Sequence, residues 1–433
     1  MKQTAQHVFR ETLAAIDIPA TLKRKLARVG SCIQAGEASV DLRGYREIVA
    51  IAFGKAAFAM AEGLNEVLMP EFRSDGILVV PAERPRQLPG WKPFSGGHPM
   101  PDSGSFEAGR AILDRLTQCD ESTLVFFLIS GGGSSMVEQP LDPSWTLADF
   151  QKLNSLLITC GASIEEINAV RKHLSAIKGG RLAAAAPRSM KLTFAISDVP
   201  QGRESAIASG PTLPDETTIH DAERIVRDYG LRDKLPNNLQ PIFKRQQLRE
   251  TPKESDPAFA HAHFEPLLGG HDLLHAAHRA CEAEGYICVC DNLTDNWPVE
   301  KAASHLLEQL EAQKRANPGR RVAVLCDGEV SSRVTGNGTG GRNSAFVLAC
   351  VPKIAGKNVA VLSAGTDGID GNSPAAGAVA DGETVSRAQA EGLVPEEFFR
   401  RSDAHNFFVR LGDAIVTGPT GNNLRDLRVL LMA

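Results

Sequence analysis

No stretch of this sequence approaches the ~18 consecutive apolar residues that a membrane-spanning helix needs. The opening residues, Met-Lys-Gln-Thr-Ala-Gln-His-Val, lack the apolar core of a secretory signal. The cysteines, at 32, 119, 160, 281, 288, 290, 326 and 350, include no C-x-x-C pair. In a chain of this size that scatter points to reduced, mostly buried thiols and away from a structural zinc site. An excess of positive charge is missing too. The formal net charge is −5, which argues against a general nucleic-acid binder and requires any anionic ligand to be held by a local basic cluster. The expectation is a cytoplasmic protein with small-molecule ligands and neither a nucleic-acid nor a membrane partner.

What is present is the composition of a globular protein, 42% hydrophobic and 23% charged. Single cores rarely grow beyond about 250–300 residues, so 433 residues imply two domains. Residues 214–268 are polar and irregular, and the domain change is placed there. The expected division is an N-terminal α/β domain over 1–240 and a C-terminal α/β domain over 241–433.

Residues 124–136 organise the first half. Leu124 to Ile129 are uniformly apolar, as in a parallel strand buried on both faces. The strand breaks into Ser130, Gly131, Gly132, Gly133, Ser134 and Ser135. Glycines without Cβ atoms let successive backbone N–H groups turn toward one anion, and ligands bind past the carboxyl ends of strands in open α/β sheets. Pro140 and Pro143 keep a long helix from starting at these glycines, unlike a dinucleotide fold.

Before it, a helical pattern over 4–35 leads to the strand Ile48–Ala52, then Phe53-Gly54-Lys55 and a helix-prone run from Phe58 to Leu68. That arrangement can set Lys55 at a helix N-terminus, where anions are favoured. Val49 and Ala56 break the G-x-x-x-x-G-K-[ST] pattern, so a P-loop is excluded. His98 follows Gly97 and precedes Pro99 in a rigid loop, a setting for ligand contacts.

Thr146 with Asp149, and Ser163 with Glu166, read as capping boxes, the second opening a helix to about Lys178. One stripe of that helix carries Asn168, Arg171, Lys172, Ser175 and Lys178, with cations and no carboxylate. It is either a solvated face or an anion-binding wall. Asp198 stands just past the strand Leu192–Ile196, as a metal-binding carboxylate or an Asx-turn would. The histidines from His261 to His278 complete no recognised metal spacing.

The second half repeats the theme. Val322–Cys326 runs into Asp327-Gly328-Glu329, and Gly336, Asn337, Gly338 and Gly341 form a G-x-G-x-x-G run before a helix. Val359–Leu362 ends in a loop holding Asp367 and Asp370 among glycines, which favours metal or hydroxyl chemistry. Strand-end loops bearing glycine with Ser, Lys or Asp are the parts phosphoryl transfer needs. N–H groups and cations neutralise phosphate, carboxylates hold Mg²⁺, and a base takes the acceptor's proton.

Taken in order, Gly54-Lys55-Ala56, Gly97-His98-Pro99, Ile129 to Ser134, Asn168 to Leu182, Ser197-Asp198-Val199, Ser209 to Thr212, Gly328-Glu329, Gly336 to Asn343 and Ala364 to Gly371 form a specific series. Over nearly its whole length the chain resembles the class II glycerate 2-kinase family, with its MOFRL-type carboxyl-terminal module. The resemblance implies an α/β protein of two domains, a Rossmann-like parallel or mixed sheet in the first and a smaller α/β second, with the active site in the cleft between them. It implies transfer of phosphate from ATP, with Mg²⁺, to the 2-hydroxyl of D-glycerate, by a monomer or homodimer. By position Lys55 and Arg342 match the family's catalytic cations, and Asp367 is the base or metal-orienting carboxylate. Asp198 and Glu329 would hold the metal. His98, Ser130 to Ser135, Asn168, Arg171, Lys178 and the 336–341 glycine loop would bind substrate or nucleotide.

The sequence departs from the family at Leu268-Gly-Gly-His271-Asp272, at Asp291 to Pro298 and at Gln201 to Glu204. These changes leave room for a related hydroxy acid as acceptor. An NAD(P)H-dependent hydroxypyruvate reductase is the alternative from another class, resting on the glycines at 336–341. Asp367 follows Gly336 by about 30 residues rather than the ~20 of a dinucleotide site. A non-catalytic binding protein would not need Lys55, Arg342 and Asp367 together.

Overall fold

The computed structural model describes residues 1–81, 87–199 and 202–433, so Gln201 of the divergent turn lies outside the described residues. The chain divides into two compact units, Ile18–Leu267 and Met1–Asp17 with Leu268–Ala433. This division differs from the 240/241 boundary expected above. The strand Ala262–Leu268 still joins the first unit's sheet. The helix Lys2–Ala15 packs instead with the second unit, burying Ala5, Val8 and Phe9.

In the first unit the helical pattern expected over 4–35 stops early. A helix over Ile18–Lys25 gives way to an antiparallel meander of β1 (Leu26–Val29), β2 (Cys32–Ala35) and β3 (Ala38–Asp41). Alternation decides it, because Ile33, Ala35, Ala38 and Val40 are buried while their neighbours are exposed. The main sheet follows: β4 (Glu47–Phe53), β5 (Asp75–Pro81), β6 (Trp91–Gly96), β7 (Thr123–Ile129), β8 (Met190–Ile196) and β9 (Ala262–Leu268). Its order is β6-β5-β4-β7-β8-β9, and the pairings from β6 to β8 are parallel. Every residue of β7 is buried, as its apolar run requires. The chain builds outward one way from β4 through β5 and β6, then the other way from β7 to β8. The switch point between β4 and β7 is therefore the expected ligand crevice.

The helices Ala57–Leu68 and Ser103–Leu116 pack on this sheet, and a separate helical cluster is built on Phe150, Leu153, Leu157, Val170 and Ile225. The capping boxes at Thr146/Asp149 and Ser163/Glu166 are both formed. The second helix ends at Lys172, short of the expected Lys178. His173 caps it and bonds the Ala169 carbonyl through Nδ1 at 2.7 Å. Beyond this break Lys178 turns inward, only 1% exposed, and donates to Glu138 Oε2 at 2.5 Å. Glu138 Oε1 accepts from Ser175 Oγ at 2.5 Å. Burial pushes the Lys178 ammonium below its usual value, against the pull of Glu138. Lys172 is likewise paired with buried Asp215 at 2.9 Å. The expected stripe of cations is thus largely neutralised by carboxylates distant in sequence.

The second unit carries β10 (Ile287–Cys290), β11 (Val322–Asp327), β12 (Val359–Gly365), β13 (Gly377–Asp381), β14 (Ala414–Ile415) and β15 (Asp426–Met432), in the order β10-β11-β15-β12-β13-β14. β10 and β11 are parallel, and β15 inserts between β11 and β12 antiparallel to both. The sheet is mixed. Among the described residues no helix is long and apolar enough to cross a membrane.

Removing one partner of a buried ion pair strands the other charge, so Lys178→Met should lower unfolding stability in urea by ~3–5 kcal/mol. Adding Glu138→Gln should recover much of that loss, because the Ser175 bond survives and the buried charge disappears. Equal losses in the single and double variants would contradict this.

Candidate active site

The loops after β4 and β7 are joined by a backbone seam. Ser130 N–H donates to the Phe53 carbonyl at 3.1 Å and Lys55 N–H to the Gly131 carbonyl at 3.0 Å. Ser130 Oγ accepts from the Ala56 N–H at 3.0 Å, and Ser130 is fully buried. Gly54 makes the approach possible: its φ is +116°, and a Cβ there would lie 2.4 Å from the Ser130 carbonyl oxygen. Lys55 thus leaves the sheet from a backbone fixed to the glycine loop. Its helix, Ala57–Leu68, starts directly after this seam.

Gly132 is left-handed at φ +82° and turns the chain into the four-residue helix Gly133–Met136, which ends well before the prolines. A Cβ at Gly132 would sit 3.4 Å from Lys55 Cγ and 3.5 Å from His98 Nδ1, so both side chains flank this glycine. His98 Nδ1 lies 3.0 Å from Ser135 Oγ, which donates to the Gly132 carbonyl at 3.2 Å. Ser134 Oγ meets Ser209 Oγ at 2.8 Å, and Ser209 donates to Asn168 Oδ1 at 3.1 Å. Lys55, His98, the Gly132–Ser135 turn, Ser209 and Asn168 are therefore one connected group.

Ser209 was not among the expected ligands, although its Ser-Gly-Pro-Thr turn stood out in the sequence. Its φ is +62°, between Ala208 at +49° and Gly210 at +61°. A left-handed run in non-glycine residues is costly and concentrates at functional sites. Arg171 is half-buried with no hydrogen-bond partner at Nε, and burial lowers its pKa against the opposing pull of Glu138. Asp198 is half-buried at the end of β8. Lys178 is paired with Glu138, and the next residue, Gly179, donates its N–H to the Ser209 carbonyl at 3.0 Å.

In the second unit the glycine run is put to a different use. Asp370, 1% exposed, accepts from the N–H groups of Gly341, Asn343 and Ser344 at 3.2, 2.9 and 2.9 Å and from Ser344 Oγ at 2.6 Å. An internal carboxylate thus fills the N-terminus of the helix Arg342–Ile354, where a phosphate would otherwise lie. Gly338 N–H is taken by the Arg401 carbonyl, Thr339 N–H by Asp403 and Gly340 N–H by Asn372. Gly336 is equally hemmed in, a Cβ there falling 2.4 Å from the Arg401 carbonyl oxygen. With Asn337 among them, these residues form a strap on 401–403. Asp370 is a helix cap, not the hydroxyl or metal ligand its glycine-rich setting suggested.

Arg342 is clamped. Nε donates to Asp426 Oδ2 at 2.5 Å and NH1 to Glu329 Oε2 at 2.6 Å. Burial works against its charge, but the Asp426 and Glu329 carboxylates prevail and raise its pKa. Glu329, expected on a metal, is here a partner of Arg342. Asp367 Oδ1 accepts from the Ile369 N–H at 3.0 Å. It also lies 3.0 Å from where a Gly365 Cβ would be, with Asp426 Oδ1 3.3 Å from the same point, so the two carboxylates flank this glycine. Arg425 binds Asp295 at 2.7 Å and Asp327 at 3.1 Å, and Asp295 Oδ1 accepts from the Glu329 N–H at 2.7 Å. The divergent 291–298 segment therefore braces Glu329. Sequence reasoning missed Asp426, Arg425 and Asp295. The available signal was charge at the head of an otherwise apolar strand, in Arg425-Asp426-Leu427-Arg428.

Among the described residues no three His, Cys, Asp or Glu side chains are grouped to hold a metal. The donors on offer are single carboxylates, which suits Mg²⁺ carried by nucleotide phosphates better than an all-protein cage.

Burial opposes ionisation of Asp426, yet Arg342 outweighs it and holds the pKa below 3.8. A depressed carboxylate stabilises the fold above its unfolded pKa, and the contribution is lost as pH falls through the lower folded value. Asp426→Asn should therefore lower stability at neutral pH and flatten the acid limb of the stability–pH curve below about pH 4, by up to about 1.4 kcal/mol per pH unit for one proton. Unfolding curves of unchanged acid slope would contradict this.

The chain matches the family described as Domain of unknown function (DUF4147) over residues 4–244 and the MOFRL family over 322–426. It is 34% identical to the D-glycerate 2-kinase of Thermotoga maritima, covering 89% of this chain and 90% of that one. A putative hydroxypyruvate reductase of Agrobacterium vitis is 36% identical, covering 89% and 99%. The crystal structure of glycerate kinase from Thermotoga maritima superposes with a TM-score of 0.84 at 30% identity, covering 100% of this chain and 99% of that one. With its parallel six-stranded sheet, its mixed second sheet and these relatives, the chain belongs to the glycerate kinase family.

Proposed function

We propose that this protein transfers the γ-phosphate of ATP to the 2-hydroxyl of D-glycerate, giving 2-phospho-D-glycerate and ADP. The observation that carries the reading is the convergence of Lys55 and His98 on left-handed Gly132 at the β4/β7 switch point. A cation, an imidazole and a glycine turn fixed by a backbone seam are suited to charge that develops on a transferring phosphoryl group. Ser134, Ser135, Asn168 and Arg171 add hydroxyl, amide and guanidinium contacts for a phosphate or the glycerate carboxylate. Ser130 works through the seam, holding the backbone of Lys55.

Arg342, held on two sides by carboxylates, supplies a rigid second cation. Asp367 is the base that accepts the 2-hydroxyl proton as the oxygen attacks phosphorus. Mg²⁺, when bound with ATP, would supply neutralisation of the phosphate charge. Asp198, at the end of β8, and Glu329, beside Arg342, are the carboxylates that would hold it. The reductase name borne by the Agrobacterium relative finds no support in the 336–341 glycines. Asp370 occupies the helix N-terminus where a dinucleotide pyrophosphate would bind.

Coupled ADP-release assays over a panel of small hydroxy acids should show turnover that depends on D-glycerate and Mg²⁺. The ³¹P spectrum of the product should be a doublet, from the single proton on carbon 2. A triplet would place the phosphate on carbon 3 and contradict the reading, as would NADH oxidation with hydroxypyruvate in place of ADP release. Lys55→Met should lower turnover on the order of 10²-fold or more, as loss of one transition-state charge contact does.

A further inference from the structure

β15 runs antiparallel to both of its neighbours, so its first residues stand where β11 and β12 end. Leu427 is opposite Asp327, and Asp426 is opposite Gly365. Arg425, the residue before the strand, therefore lies between the loop that carries Glu329 and the loop that carries Asp367.

Its backbone holds one loop and its side chain holds the other. The Thr366 N–H and Oγ1 both donate to the Arg425 carbonyl, at 3.1 and 2.8 Å, and the Arg425 N–H donates to Thr366 Oγ1 at 3.2 Å. Asp367 is the next residue along. The Arg425 side chain is only 7% exposed and spans Asp295, on the loop after β10, at 2.7 Å and Asp327, at the end of β11, at 3.1 Å. Asp295 Oδ1 in turn accepts from the Glu329 N–H at 2.7 Å. Burial works against the Arg425 charge, but the Asp327 and Asp295 carboxylates prevail and raise its pKa. One residue thus ties the loops after β10, β11 and β12.

The second observation is strain. The φ of Arg425 is +129°. The other five described non-glycine residues with positive φ lie between +49° and +62°, close to the left-handed helical well. Arg425 is outside that well, in a region that glycine tolerates and a long side chain does not. Such strain persists only where the surroundings impose it, and it concentrates at functional sites. Stability alone would favour glycine here, and the chain keeps a charged residue that reaches two carboxylates.

We propose that Arg425 is a positioning residue for the transfer, its backbone setting the Thr366-Asp367 turn and its guanidinium setting the Glu329 loop. Its guanidinium is occupied by Asp295 and Asp327, so it acts through these neighbours and not on the substrate. The proposal rests on the roles given above to Asp367 and Glu329.

The test compares Arg425→Lys, Arg425→Ala and Arg425→Gly by turnover, melting temperature and amide hydrogen exchange. Glycine is at ease at this φ, so Arg425→Gly should melt higher than Arg425→Ala. Both should nevertheless lose turnover by a similar factor, on the order of 10-fold or more, with KM values within about threefold of the parent's. Arg425→Lys keeps a cation between the two carboxylates but loses the fork that reaches both, so its turnover should fall between parent and alanine variant. Turnover per folded molecule equal to the parent's in all three, or turnover that follows melting temperature across them, would overturn the proposal. Hydrogen exchange reads the positioning with no acceptor present. The Glu329 amide should exchange on the order of 10-fold faster in every variant, and the Thr366 amide faster in Arg425→Gly, while the paired amides of β11 and β12 keep their protection. Parental protection of both amides in every variant would also overturn it. Faster exchange at these amides in a protein whose parent form ignores D-glycerate would support the positioning and contradict only the acceptor assigned above.

Discussion

The hydrogen-bonded seam between the β4 and β7 loops is the constraint on which the site depends. Three bonds, among Phe53, Lys55, Ala56, Ser130 and Gly131, tie two strand ends that lie far apart in sequence. They form because adjacent parallel strands end in register, Phe53 opposite Ile129, and because Gly54 has no Cβ to keep Ser130 away. A lysine on a free loop would lose side-chain and backbone entropy on meeting an anion. Here the backbone part of that cost is met by folding. The same geometry sets Gly132 between Lys55 and His98, so the cation and the anion turn are positioned by one set of bonds.

The second unit shows the opposite use of a similar sequence. Its glycines and helix N-terminus could cradle a phosphate, yet Asp370 satisfies the helix and residues 401–403 and 372 satisfy the loop. What remains for chemistry is a network of charges at the strand ends: Arg342 between Asp426 and Glu329, and Arg425 between Asp295 and Asp327. In such a network each charge is held in place by its neighbours, which suits electrostatic preorganisation better than flexible capture.

Much of this was legible in the sequence, for physical reasons. The apolar run Leu124–Ile129 could hardly be anything but a doubly buried strand, and the capping boxes at Thr146 and Ser163 formed as written. What local pattern could not convey was pairing at long range. The stripe holding Lys172 and Lys178 looked cationic because Asp215 and Glu138 lie distant in sequence. The helix to Lys178 failed where His173 capped it, and the helix over 4–35 failed where a period of two replaced one of 3.6. The glycines at 336–341 matched a ligand pattern whose N–H groups are already taken, and the acid that takes the helix end is 29 residues on. Arg425 and Asp426 went unread because they open an apolar strand whose place between β11 and β12 is settled by tertiary pairing.

The account turns on the claim that Ser130 acts through Lys55 and not by touching the ligand itself. A double-mutant cycle on turnover with Ser130→Ala and Lys55→Met tests it most directly. Ser130→Ala should slow the parent on the order of 10-fold by leaving the Ala56 N–H unsatisfied and loosening the seam, and should cost almost nothing further once Lys55 is methionine. Fully additive losses in the two backgrounds would contradict the account.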